Sequence, residues 1–429
     1  MKAEIMGNPP SVQPRASSPD RPRPGLSGPL GRLLLMFGPA SFGISLVWGA
    51  VPSILLPLQV QDAVGETRKV AVLALVTACG AAISVIVQPI GGLLSDRTRS
   101  RLGRRTPWML GGVLAGGLAL AALSYAGTVA AFVLLWAAAQ VGLNLAWSPL
   151  TAIMPDRVPP ALRGTYASVW GLGAMLGALG GQVYGAAFAG HLTAAYLLLG
   201  VIAAATTGLL ALLCPDGSSR DLPRSPAFSL PHLAAAFWID PRRHPDFGWA
   251  FLSRMCAYTG YYLVFGYKLY ILQDYIGLKE RAVDAVATVG VVTVAGLAVS
   301  TLVAGRLSDR IGRRKPFVIS AAVLVAGAVL VPLATPTLTG MLVLAALAGL
   351  GFGCFQAVDT ALVSEVLPSA HGHAKDLGIV NLAGQIPAVL APAVAGLVVL
   401  TGGYAAIFPI GAAAGLLSAL ALLPVKGVR

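Results

Sequence analysis

Of the 429 residues 56% are hydrophobic and only 11% charged, and the mean hydropathy is +0.77, too little polar surface for a soluble globule of this length. The formal net charge of +13 would raise nucleic-acid binding in a soluble protein, but a bilayer-embedded chain accounts for it through its basic inner loops, and no nucleic-acid partner is read from it.

Taken in chain order, residues 1–32 are rich in Pro, Ser and Arg and read as a disordered tail, without the apolar core and small-residue cleavage site of a secretory signal. Apolar stretches long enough to cross a bilayer, about 20 residues each, follow near 33–57, 69–95, 107–126, 128–153, 163–189 and 192–214. They form an N-terminal six-helix unit over 33–214. A linker over 215–246 contains the apolar, Trp-bearing stretch Phe228 to Ile239, which either lies along the membrane surface or serves as a tether between the halves. A second set near 247–275, 283–308, 316–334, 338–365, 375–400 and 402–425 forms a C-terminal unit over 247–425, and 426–429 close the chain as a short tail. The fold expected is all-α, with twelve transmembrane helices in two six-helix bundles.

Inner loops retain Lys and Arg, so the basic residues give an orientation. With the N-terminus inside, 24 of the 30 fall on the cytoplasmic side and four, Arg68, Lys69, Lys279 and Arg281, on the other. Both termini are expected to be cytoplasmic, in a multi-pass protein of the plasma membrane. Cys79, Cys214, Cys256 and Cys354 fall in or at the end of spans and read as small packing residues.

One segment occurs twice. Gly92-Leu93-Leu94-Ser95-Asp96-Arg97, followed by Leu102-Gly103-Arg104-Arg105-Thr106-Pro107, returns as Gly305-Arg306-Leu307-Ser308-Asp309-Arg310-Ile311-Gly312-Arg313-Arg314-Lys315-Pro316. The offset drops from 213 at Asp96 and Asp309 to 209 at Gly103 and Gly312, so the first copy carries a four-residue insertion. Each copy joins two apolar segments, which implies two homologous membrane halves, the usual architecture of a secondary transporter. The loops after the fourth and tenth spans repeat as well, at 209: Asp156-Arg157-Val158-Pro159 matches Glu365-Val366-Leu367-Pro368, and Arg163 continues the first copy only. An Asp at the inner end of a span suits the positive N-terminus of a neighbouring helix, Gly permits a tight turn, and the arginines pair with nearby acids or stay in water. Asp96, Arg97, Gly103, Arg104, Arg105, Asp156, Arg163, Asp309, Arg310, Gly312, Arg313, Arg314 and Glu365 are therefore the candidate gating residues.

These residues resemble the signature loop of the major facilitator superfamily, and the resemblance covers essentially the whole membrane region. The expanded first copy, Ser95 through Trp108, looks like the glycoside-pentoside-hexuronide and sucrose transporter branch. The resemblance implies two bundles rocking about a central site lined by helices 1, 4, 7 and 10, in a protein that a monomer suffices to form. Two departures subtract from sugar-cation symport: Gln140 stands where sucrose transporters carry a membrane-embedded Asp, and the second span lacks the acidic pair of sodium-coupled melibiose-type carriers.

Polar groups inside the spans point to a pathway, because burying them in lipid is expensive. Asp359, about 9 Å deeper than Glu365 at 1.5 Å per residue, and Arg254 in the seventh span read as a coupling pair or as a fixed ion pair. Trp136, Gln140, Asn144 and Trp147 share one face of the fourth span, and amides beside indoles suit a hydroxyl-rich ligand. Trp48, Gln140, Asn144, Trp147, Tyr258, Tyr262, Gln356, Asn381 and Gln385 are the candidate substrate-binding residues. Lys268 and Asp274 are expected to snorkel or pair at the interface. Gly173, Gly177, Gly181 and Gly185 form a small-residue stripe that admits a close partner helix, either across the two halves or within one bundle. His371 and His373 read as loop residues, and no metal or cofactor is implied. With no Walker loop, nucleophile elbow or HExxH motif, neither an enzyme nor an ATP-driven pump is expected. The sequence points to a secondary transporter of a small polar solute, a sugar or glycoside among the candidates, linked to protons. The alternatives are an exporter of drugs or secondary metabolites and a non-transporting receptor or assembly factor.

Overall fold

Pro29 begins the first helix, where its fixed φ and missing N–H cost nothing. The same device recurs at the two repeat prolines: Pro107 and Pro316 each lie in the first turn of the helix that follows the loop. In the second copy Gly312, at φ +67°, ends the preceding helix in a left-handed conformation, and Gly103 takes φ +84° in the first. The repeated Gly and Pro are thus the stop and start signals of a tight helix-to-helix turn.

A computed structural model describes residues 28–220, 244–365 and 373–425, leaving out the side chains of Asp309, Thr360, Ala361, Ser364, Glu365 and 373–382. The expected N-terminal tail, most of the linker with Phe228 to Ile239, the His371 loop and the last four residues lie outside the described residues. Twelve helices cross: α1 (Pro29–Val64), α2 (Lys69–Arg97), α3 (Thr106–Leu123), α4 (Val129–Arg157), α5 (Arg163–Ala187), α6 (Leu192–Leu213), α7 (Pro245–Phe265), α8 (Ala282–Ile311), α9 (Lys315–Ala334), α10 (Leu338–Glu365), α11 (His373–Gly402) and α12 (Ile407–Leu422). Among the described residues ten of these spans are apolar enough to cross on length and composition alone. The other two are α5, diluted by glycines and Gln182, and α7, which carries Asp246 and Arg254. Arg254 is buried against Asp359 and Gln182 bonds Lys268 of the other half, so these polar groups meet protein rather than lipid.

Packing repeats with a shift of six helices. In the first half α1 packs on α5 and α6, α4 on α2 and α3, and α3 on α6; in the second α7 packs on α11 and α12, α10 on α8 and α9, and α9 on α12. The halves meet through α2 with α11 and α5 with α8, a pair of contacts that the same shift exchanges. The duplication legible in the loops is therefore a duplication of the whole bundle.

The glycine stripe of α5 packs within its own half. A Cβ at Gly173, Gly177 or Gly181 would run into the α1 backbone around Gly38, Phe42 and Leu46, and one at Gly185 would meet Ile54 at 3.2 Å. Of the two partners the stripe allowed, the structure selects α1, because only bare backbone lets two helices approach so closely.

Candidate functional site

Seven of the nine buried residues of α2 lie in its first twelve positions, Lys69 to Gly80, whereas Ile86, Ile90 and Leu94 on its second half are exposed. The halves accordingly close on one another at the end remote from the repeated loops. There the Tyr270 hydroxyl donates to the Pro57 carbonyl at 2.9 Å, and Lys69 Nζ lies 2.9 Å from Asp274 and 2.5 Å from Glu66, with the Tyr270 ring 4.7 Å away. Tyr404 Oη donates to the same Asp274 oxygen, Oδ2, at 2.6 Å. Two helical irregularities flank this seal: a π-helical turn at Val51–Leu55 inside α1 and another at Ile271–Tyr275 in the short extension after α7.

Below the seal, at the boundary of the halves, lies a cavity of about 540 Å³. From the first half come Trp48, Trp136, Gln140 and Gln182, and from the second Tyr261, Tyr262, Phe265 and Lys268. Trp48 Nε1 donates to Gln140 Oε1 at 3.3 Å, and Asn144 Nδ2 donates to the same oxygen at 3.2 Å and to Ser84 Oγ at 3.1 Å. Asn144 thus sits behind Gln140 and fixes which way its amide points. Trp147 packs edge-on against Trp48 with ring centroids 4.8 Å apart, and continues to Trp170 at 4.6 Å and Phe37 at 4.7 Å, an aromatic column running down α1, α4 and α5.

Of the substrate-binding candidates, then, Trp48, Gln140 and Tyr262 line the cavity, while Asn144 and Trp147 support them from behind. Tyr258 packs instead against Phe352 at 5.1 Å and beneath the Arg254 guanidinium at 5.5 Å. Gln356 and Gln385 are exposed, away from the cavity lining, and the side chain of Asn381 is outside the described set. Lys268, expected at the interface, is buried and lines the cavity, bonded to Gln182 of the other half. Its signal was a base inside an apolar span, the same signal that singled out Arg254. Gln182, Tyr261 and Phe265 also line it, and only the docking of the two halves brings Gln182 to the other two.

A second buried charge centre lies in the C-terminal half. Arg254 Nη1 approaches Asp359 Oδ2 at 3.0 Å, with the two residues 8% and 1% exposed. Asp359 Oδ1 and Arg254 Nε are buried without a hydrogen-bond partner. One carboxylate oxygen is paired and the other bare, an arrangement that a proton or a water satisfies.

At the loop end, Arg105 is the hub of the first copy. Its guanidinium reaches Asp96 at 2.6 Å, Asp156 at 2.9 Å and Ser95 Oγ at 2.5 Å, and Arg104 pairs with the other Asp156 oxygen at 2.8 Å. Asp96 thus spends its charge on an arginine. Arg163 donates to the Val158 and Pro155 carbonyls, closing the turn after α4. Two of the four inserted residues, Thr98 and Ser100, with Arg105, dock the chain leaving α6: Ser219 Oγ donates to the Thr98 carbonyl at 2.9 Å and accepts from the Ser100 N–H at 3.0 Å, and Asp216 accepts from the Arg105 N–H at 3.2 Å. In the second copy Arg310, Gly312 and Arg313 are exposed and Arg314 is half-buried, while Lys315 Nζ donates to the Leu423 and Val425 carbonyls at 2.8 Å.

The family profile described as Major Facilitator Superfamily matches residues 33–299 and again 250–428. Short segments resemble two curated proteins: 35 residues are 66% identical to an uncharacterized symporter of Synechocystis sp., and 54 residues are 41% identical to the general alpha-glucoside permease of Schizosaccharomyces pombe. Those segments amount to 8% and 13% of this chain and 6% and 10% of the respective relatives. Over whole chains, the fold matches a crystal structure of the nucleoside transporter NupG with a TM-score of 0.73 at 14% identity, covering 92% of this chain and 99% of that one. It matches a D-xylose-proton symporter with a TM-score of 0.64 at 18% identity, covering 93% and 97%.

Proposed function

This chain belongs to the major facilitator superfamily and is a multi-pass membrane transporter of small solutes; from that premise we propose that it carries a small polar solute of sugar or glycoside size across the plasma membrane, by rocking its two bundles about the central cavity. The observation that carries this reading is the cavity itself, whose amides can exchange hydrogen bonds with hydroxyls while indole and phenol faces stack on C–H surfaces. The alpha-glucoside permease, xylose symporter and nucleoside transporter named among its likenesses handle solutes of that size and polarity. With both termini cytoplasmic, the sealed end faces outward and the described state opens inward. A monomer performs the cycle, its units spanning 33–214 and 247–425.

In this reading Asp359 carries the coupling proton and Arg254 sets when it is released. Uptake of a labelled sugar panel into proteoliposomes, with and without a proton gradient, tests the whole proposal. Gradient-driven accumulation is the expected result, lost in Asp359→Asn. An Arg254→Gln, Asp359→Asn double variant that keeps full coupling excludes the proton-carrying role and leaves a fixed ion pair. The strongly aromatic lining, with Trp48, Trp136, Tyr261, Tyr262 and Phe265, favours one second reading, export of a drug-like or secondary metabolite. Outward movement of aromatic solutes with no sugar uptake selects it.

A further inference from the structure

Among the described residues four Lys or Arg side chains are buried: Lys69, Arg105, Arg254 and Lys268. Three of them face carboxylates, Lys69 with Glu66 and Asp274, Arg105 with Asp96 and Asp156, and Arg254 with Asp359. Lys268 differs. Its described partner is the neutral carbonyl of Gln182, and no carboxylate is among the described residues lining the cavity that both share. A buried ammonium satisfied only by an amide is costly within a membrane, and a charge retained at such a place asks for an anion. The cavity, at about 540 Å³, is far larger than an inorganic oxyanion needs, and its aromatic walls suit an organic body. One lysine balances one negative charge; a dianion would bring a second, unpaired charge into the low-dielectric site.

We propose, building on the transport reading above, that the cavity takes a monoanionic organic solute whose carboxylate binds Lys268 in competition with Gln182. Lys268 belongs to the C-terminal half and Gln182 to the N-terminal half, so a carboxylate that captures the ammonium removes a contact between the halves. Binding then loosens the sealed end, which links occupancy to rocking.

The test is binding to the purified full-length protein in nanodiscs, by calorimetry or tryptophan fluorescence, with two matched pairs: glucose with glucuronate, and cyclohexylmethanol with cyclohexanecarboxylate. A charge-assisted contact predicts that at least one carboxylate binds about ten-fold or more tighter than its neutral partner. Lys268→Gln levels the pair, Lys268→Arg keeps the preference, and Gln182→Met, which removes the competitor, raises the carboxylate-to-neutral affinity ratio a few-fold. Should Lys268→Gln fail to fold, the Lys268→Arg and Gln182→Met results decide. Preference for glucuronate alone supports both the anion site and the sugar reading. Preference for cyclohexanecarboxylate with neither sugar bound keeps the anion site and removes the sugar reading. Glucose bound with no carboxylate preference in either pair keeps the sugar reading and overturns the anion site; a carboxylate preference that survives in Lys268→Gln also overturns the anion site, and no binding of any of the four overturns both.

Discussion

The two copies of the repeated loop have nearly the same sequence and different surroundings. In the first, Arg105 is buried against two carboxylates and a serine, and the inserted residues clasp Ser219 at the start of the linker. In the second, the matching Arg314 is half-buried, the turn is four residues shorter, and Lys315 holds the chain after α12 by its backbone carbonyls. Among the described contacts the first copy ties α2, α3, α4 and the linker together, and the second ties α9 to the end of the last helix. The lesson is that one repeated turn takes on different attachments from the residues inserted in it and placed beside it.

Breaking the comparison begins with its hub. Arg105→Ala leaves Asp96 and Asp156 facing each other without their shared cation and is expected to cost about 3 kcal/mol, against about 1 kcal/mol or less for Arg314→Ala. Melting temperatures in detergent check this, and equal shifts would abolish the asymmetry. Next come the turn glycines. Both lie at positive φ, which an L-residue resists by about 1–2 kcal/mol; Gly103→Ala should fall at the upper end, because its Cβ also meets Asp216, and Gly312→Ala at the lower end, where the space is open. Ser219→Ala removes bonds that exist only beside the inserted residues and is expected to cost about 1 kcal/mol, with protease cleavage of the linker rising in step.

The smallest effect is one of pH at the opposite end of the molecule. The hydrogen bond from Lys69 holds the Glu66 carboxyl below its usual 4.5, against an upward push from burial. A depressed carboxylate stabilises the fold above its unfolded pKa and stops doing so as the pH falls through the lowered folded value. Melting curves taken from neutral pH down to about pH 3 should therefore show a slight loss confined to the acid end; Glu66→Gln removes that step, and an unchanged profile in the variant assigns it to other groups.

Hydropathy and the doubled loop made the twelve-helix bundle legible, because crossing a bilayer demands long apolar runs and a tight turn demands Gly and Pro. Arg254 and Asp359 were legible for the same reason: a charge within a span has few partners to choose from. The cavity was legible only in part. Trp48 and Gln140 advertise themselves as polar groups in helices, but Gln182 and Lys268 acquire meaning only when α5 and the extension of α7 dock, and nothing in either segment announces the other. Lys268 lies near the end of its span, where a long side chain would ordinarily reach the headgroups. Tertiary closure turns it inward instead.

The bare α5 backbone seated on α1 has a mechanical consequence. Twenty-five helical residues reach about 37 Å, and with Gly173, Gly177 and Gly181 pressed on α1 carbonyls the two helices have no room to slide independently. Toward their N-terminal ends they are pinned as well: Tyr166 donates to the Leu30 carbonyl, and Ser41 Oγ to that of Trp170 at 2.9 Å. The pair is a stiff lever. Displacing Gln182 swings Trp170 and Phe37, twelve residues further down α5 and beside it, so an event felt at the cavity is delivered about 18 Å along the helix without any relay of side chains.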